Sequence, residues 1–123
     1  MVIFHSAPLI ELKGNRRIPL QDSELDFESE RRSIMDTLKN HGIGVSIRFD
    51  AATIETLSDV LDFHPTIIHI SCHGNYDPDN GMQFYLAFEQ SQRLGVLEKL
   101  NSDRLKTLLG GRCKYDGIVF VSA

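Results

Sequence analysis

Four short runs of β-branched and aromatic residues, separated by stretches of helical periodicity, constrain the fold of this 123-residue chain more than any other feature. Val2-Ile3-Phe4 reads as a buried strand that gives way to a loop at Ser6-Ala7-Pro8. Val45, Ile47 and Phe49 alternate with Ser46 and Arg48, the period of a strand with one covered face. Ile67, Ile68 and Ile70 crowd together, as in a parallel strand covered on both faces. Ile118-Val119-Phe120-Val121 is the fourth run, and the sequence stops at Ser122-Ala123 inside it, so a truncated domain is expected.

The intervening segments carry helix signals. Phe27, Ile34 and Leu38 recur at helical spacing, with Gly42 where a left-handed C-cap belongs. Thr53 is placed to cap a second helix whose stripe is Leu57, Val60 and Leu61 and which Pro65 ends. Asn101 or Ser102 caps a third, with Leu105, Leu108 and Leu109 inward and Gly110-Gly111 closing it. Leu9 to about Gln21 is expected to be a long polar loop turning at Gly14-Asn15, with Arg16 and Arg17 solvated. Turns are expected from Asn75 to Gly81, then an antiparallel pair, 84–88 with 96–100, as a small hairpin beside the main sheet. Strand, helix, strand, helix, strand, hairpin, helix, strand is an α/β order, which right-handed crossovers fold into a mainly parallel sheet with helices on both faces.

Charge and composition remove several function classes. A net charge of -4 offers no broad positive field for a phosphate backbone, so nucleic acid is not expected as a partner. No apolar run approaches the roughly 20 residues of a bilayer-spanning helix and no secretory signal opens the chain, so a cytoplasmic protein without membrane partners is expected. Cys72 and Cys113 are expected to be reduced thiols.

In an open parallel sheet, reacting groups gather beyond the carboxyl ends of the strands. Those ends are His5-Ser6, Asp50, Cys72-His73-Gly74 and whatever follows Ala123. His73-Gly74 has a specific chemical use there: imidazole exchanges protons near neutral pH, and the amide of a residue without a side chain can approach a developing oxyanion.

The string Ile68-His69-Ile70-Ser71-Cys72-His73-Gly74 resembles the histidine motif of the CHAT family, caspase-clan cysteine peptidases related to separase. The run from Ile118 to Ala123 is similar to the strand that leads, in that family, directly into the nucleophilic cysteine. The surrounding order agrees: a Pro-bearing loop after the first strand, a helix start carrying Glu28 and Glu30, the Asp50-Ala51-Ala52-Thr53 passage, a hairpin after the histidine and a helix from Asn101 to Leu109. The resemblance spans nearly the whole chain. It implies a caspase-like three-layer sandwich of which residues 1–123 are the N-terminal, histidine-bearing part. It also implies a Cys-His dyad in which His73 serves the thiol and Gly74 supplies one oxyanion-hole amide. Neither a cofactor nor a metal is expected. Because the sequence stops at Ala123, this chain alone is expected to be inert. The implied partners are a protein substrate, the rest of the peptidase domain and flanking regulatory modules, and a truncated sheet edge is expected to self-associate.

Other readings stand beside this one. The domain is alternatively an inactive interaction or regulatory module, or, more weakly, a doubly wound signalling or nucleotide-binding domain using Asp50, although no Gly-rich phosphate loop follows the first strand. Strand alternation sends Cys72 and His73 to opposite faces, making Cys72 a buried small hydrophobe and scattering His69, Cys72 and His73 as zinc ligands. His69 is expected to be a hydrogen-bonded core histidine on the face of His73. Asp77 and Asp79 either orient His73 or, as ordinary turn chemistry favours, form the turn. Alternation in the hairpin buries at least two of Phe84, Tyr85 and Phe88.

Overall fold

A computed structural model of the protein describes residues 1–20, 26–111 and 114–123. Chain order is β1 (Val2–His5), β2 (Ile10–Lys13), β3 (Arg16–Pro19), α1 (Phe27–Asn40), β4 (Arg48–Ala51), α2 (Ile54–Asp62), β5 (Ile67–Ser71), β6 (Gly74–Asp77), a 3₁₀ turn at Pro78–Asn80, β7 (Gln83–Gln90), β8 (Arg93–Asn101), α3 (Ser102–Leu109) and β9 (Ile118–Ser122). The architecture is mixed α/β: one parallel sheet ordered β4-β1-β5-β9 and a second sheet ordered β3-β2-β8-β7-β6.

The parallel register sorts side chains by face. Val2 is level with Ile68 and Phe4 with Ile70, and these four, continued by Cys72, form one buried face. Against it pack Leu57, Val60 and Leu61 of α2, Leu86 and Phe88 of β7, Leu100 of β8, and the half-buried Leu105, Leu108 and Leu109 of α3. The opposite face carries the row Ile3, Phe49, His69 and Phe120, and above it His5 and Ser71. α1 lies on this second face, with Phe27 against His5 and Arg31 over Phe49. It leaves Phe120 at 54 % exposure on the edge strand β9.

The helix signals describe the chain closely. Asp26 caps α1 by accepting from the Ser29 N–H, and Gly42 takes the left-handed conformation at φ +62° just past the helix end. Thr53 closes a reciprocal capping box with Thr56, and Asn101 caps α3 by accepting from the Arg104 N–H. No helix among the described residues is long and apolar enough to cross a membrane.

Three expectations need correction. The stretch expected to be a long polar loop is a hairpin, β2 and β3 folding about Gly14-Asn15, and Ile10 pairs in parallel with Val96 of β8. Ile10 and Leu12 alternate with Glu11 and Lys13, a strand signal only four residues long, and the stability comes from docking on β8, where the Gly95 carbonyl accepts from the Leu9 N–H at 2.7 Å. Gln21 lies outside the described residues. Strand β4 begins at Arg48 rather than Val45, because its partner β1 starts opposite Arg48; before it, the Ser46 carbonyl accepts from the Met1 amino group. Finally, Gly74–Asp77 is strand β6, not turn, so the expected small hairpin is the centre of a five-stranded sheet.

The capping box at Thr53 gives a direct stability test. The Thr53 Oγ1 accepts from the Thr56 N–H at 3.0 Å while the Thr56 hydroxyl reaches the Ala51 carbonyl at 2.7 Å, all at a position 2 % exposed. Thr53→Ala is expected to cost about 1–2 kcal/mol, read as a lower urea midpoint with unchanged slope.

Candidate functional site

The site is built where β5 ends. The Ser71 carbonyl accepts from the Ser6 N–H at 3.0 Å on the β1 side, and Cys72 donates its N–H to the Ser122 carbonyl at 3.0 Å on the β9 side. One residue later the ladder stops. His73 gives its carbonyl instead to the Ala87 N–H at 2.8 Å in β7, and Gly74 opens β6 opposite Leu86. The chain therefore crosses from one sheet to the other at His73-Gly74, at the carboxyl edge of a central parallel strand.

Gly74 lies in close packing at this crossing. A Cβ there would overlap the ring of Phe84 and lie 3.4 Å from the Cβ of Ala123. The same observation locates Ala123, at the end of β9, directly beside the His73-Gly74 turn. The half-buried His73 lines a cavity of about 110 Å³ with Gly74, Asn75, Tyr85, Ala87 and Leu97.

Cys72 turns the other way, into the core, fully buried. Burial pushes its thiol pKa up to about 12 against the lowering effect of the Ala87 backbone amide, so at neutral pH the sulfur is a protonated, unreactive hydrophobe. Cys113 lies outside the described residues. His69 faces α1, where its Nε2 lies 3.2 Å from Glu30 Oε1 as an ion-pair approach without hydrogen-bond geometry. Glu30 Oε2 also accepts from the Ser71 hydroxyl at 2.6 Å. His5, at the end of β1, stacks on Phe49 and meets Phe27 at a tilt, with its Nε2 sheltered from solvent. Burial lowers its pKa; Glu30 pulls it back up, while His69 and Arg31 lower it further.

Asp77 and Asp79 serve the turn and its anchoring. Asp77 Oδ1 accepts from the Asp79 N–H at 3.2 Å and from Lys99 Nζ at 2.9 Å, while Asp79 pairs with Lys13 at 3.1 Å. Lys99 also meets Glu11 at 3.0 Å, so the β2–β3 hairpin is tied electrostatically to the segment leaving the histidine. Tyr85 and Phe88 are buried and Phe84 is 45 % exposed, in edge-to-face contact with Tyr76.

Sequence reasoning missed Glu89. Its backbone N–H binds the Ala52 carbonyl at 2.9 Å, and its carboxylate accepts from the Ala7 N–H at 3.1 Å and the Gly95 N–H at 2.7 Å. One side chain thus joins the loop after β1 to the second sheet. A lone glutamate at a strand end carries no pattern that could have announced this. Phe84 reads in the sequence as a hairpin aromatic, and its packing on Gly74 depends on a non-local register.

A mixed α/β domain with a histidine-glycine crossing at the edge of its parallel sheet is the class defined by this geometry. Residues 20–120 match the profile of the CHAT domain, and the chain belongs to that family, a family of cysteine peptidases. No curated protein and no solved structure matches the chain.

Two outcomes follow from the packing. Gly74→Ala is expected to destabilise the fold by about 1–3 kcal/mol through overpacking on Phe84, and combining it with Phe84→Ala should cost less than the sum of the two single changes in a double-mutant cycle. Lys99, through its hydrogen bond, holds Asp77 below the ordinary carboxylate range. Its contribution to stability is then complete above about pH 4 and is lost as pH falls through the lower folded value. Asp77→Asn should remove that part of the acid limb in a pH series of thermal melts.

Proposed function

We propose that residues 1–123 form the histidine-bearing part of a caspase-like three-layer peptidase domain that hydrolyses peptide bonds in a protein substrate. The observation that carries this reading is the proximity of Gly74 to Ala123, whose Cβ would lie 3.4 Å from a Cβ placed on Gly74: the end of β9 and the histidine turn adjoin at the carboxyl edge of the sheet. A cysteine directly after Ala123 would emerge beside His73. Family membership and the adjacency of β5 and β9 support the same assignment.

On this reading the Cys-His pair works as follows. His73 accepts the thiol proton or pairs with the thiolate, and the sulfur attacks the scissile carbonyl. The Gly74 amide and the amide of the cysteine stabilise the oxyanion as the tetrahedral intermediate forms. Protonated His73 returns its proton to the leaving amine, and water then hydrolyses the thioester. The buried Cys72 takes no part, since a thiol with a pKa near 12 supplies no thiolate. The expected setting is the cytoplasm, and the partners are the protein substrate and the remainder of the peptidase domain.

The test uses the intact parent protein. Incubated with a pool of denatured peptides, the wild type is expected to create new termini detectable by mass spectrometry. His73→Ala should reduce their rate of formation by about a hundredfold or more without loss of folding. Cleavage that persists in His73→Ala, or a residue other than cysteine after Ala123, overturns the reading and leaves an interaction module.

A further inference from the structure

α1 is attached to the sheet by different means from α2. None of its residues is fully buried, whereas α2 inserts Leu57, Val60 and Leu61 into the core. Apolar burial therefore does less to hold α1, and directed contacts from its first two turns do more. The Phe27 ring lies 4.7 Å from that of His5, and the Arg31 guanidinium lies 4.4 Å above the Phe49 ring. Between them, Glu30 reaches down to β5.

The two carboxylate oxygens of Glu30 divide their work. Oε2 accepts from the Ser71 hydroxyl at 2.6 Å, the short distance of a charge-assisted bond. Oε1 faces His69 Nε2 at 3.2 Å. Ser71 is 3 % exposed, so its hydroxyl has little recourse to water if Glu30 withdraws. Ser71 is also the last residue of β5, two before His73. Its backbone is fixed to β1, its successor Cys72 is fixed to β9, and Glu30 supplies the third restraint, from above the sheet. The charged and titratable groups around the clasp are His5 from β1, His69 from β5 and Arg31 from α1.

We propose that Glu30 is a positioning residue for His73: its carboxylate clasps Ser71 beside His69, locks α1 onto the carboxyl half of β5, and so fixes the direction in which His73 leaves the strand. The proposal rests on the reading of His73 as the catalytic base. Glu30 acts through Ser71. Glutamine at this position keeps an acceptor for the Ser71 hydroxyl but loses the charge, and alanine loses both.

Amide hydrogen exchange in the intact protein tests the clasp without reference to catalysis. Glu30→Ala is expected to speed exchange across 71–74 by about tenfold, with Glu30→Gln in between and the β7–β8 amides unchanged. In Glu30→Gln, the His5 titration followed by NMR should move to lower pH, because the carboxylate that raises its pKa is gone. On the peptide cut fastest by the wild type, Glu30→Ala should lower kcat about tenfold to a hundredfold while KM stays within twofold. Ser71→Ala, which removes the clasped hydroxyl but keeps Glu30, provides the same exchange measurement should Glu30→Ala fail to fold. Wild-type exchange at 71–74, equal acceleration of all amides, or an unmoved His5 titration overturns the clasp. Faster exchange at 71–74 with unchanged kcat overturns positioning while leaving the peptidase reading intact. A wild type that cuts nothing sinks the peptidase reading instead, and the exchange result still decides the clasp.

Discussion

β5 is hydrogen-bonded along both edges, to β1 through the Ser6 N–H and to β9 through the Cys72 N–H, and the rest of the candidate site depends on that double ladder. A central parallel strand cannot slide without breaking two sets of backbone bonds at once, each left unsatisfied in a buried setting. Because neighbouring side chains alternate between faces, the ladder also decides that Cys72 enters the core with Ile68 and Ile70. His73 is the first residue freed from it. Its position is thus inherited from backbone bonding upstream, with no need for a rigid loop of its own.

The second sheet supplies what the ladder does not. The His73 carbonyl is captured by Ala87, and Phe84, two residues along the same face of β7 from Leu86, closes over Gly74. Glu89 lies further along the same strand and bonds Ala52, Ala7 and Gly95 together. A single strand, β7, therefore positions the crossing and also joins it to the loops after β1 and β4. That arrangement gives the glycine a packing reason to be glycine, independent of any oxyanion chemistry proposed for its amide.

What the residues disclosed in advance was whatever depends on local pattern. The capping roles of Thr53 and Asn101, the stripe of α2, the left-handed Gly42 and the pairing of β7 with β8 follow from periodicity and side-chain chemistry within a few residues. The strands β2, β3 and β6 are only four residues each, and they exist because β8 and β7 offer edges to pair with. Nothing in Ile10-Glu11-Leu12-Lys13 or Gly74-Asn75-Tyr76-Asp77 states that such an edge will be present. The Glu30–Ser71 contact spans 41 residues, and the proximity of Ala123 to Gly74 depends on the parallel register of β5 with β9. For the candidate site, the motif pointed to His73-Gly74 at a strand end, while the groups that hold the turn in place became visible only with the tertiary contacts.

The register of β9 is fixed at its other end as well. The Tyr115 hydroxyl donates to the Pro65 carbonyl at 2.7 Å, and the Ile118 N–H binds the Thr66 carbonyl at 3.0 Å, so the strand enters level with the start of β5. Gly117 lets the Tyr115 ring lie against the backbone, since a Cβ there would overlap the phenol and sit 2.7 Å from the Thr66 oxygen. A slip of one residue would turn Val119 out of the core and drive Phe120 into it. It would also move Ser122 away from Ser71 and carry Ala123 off Gly74. Tyr115 and Gly117, far from the histidine along the strand, therefore govern which residue arrives beside it, and an alteration there would be felt at the carboxyl edge through register rather than through contact.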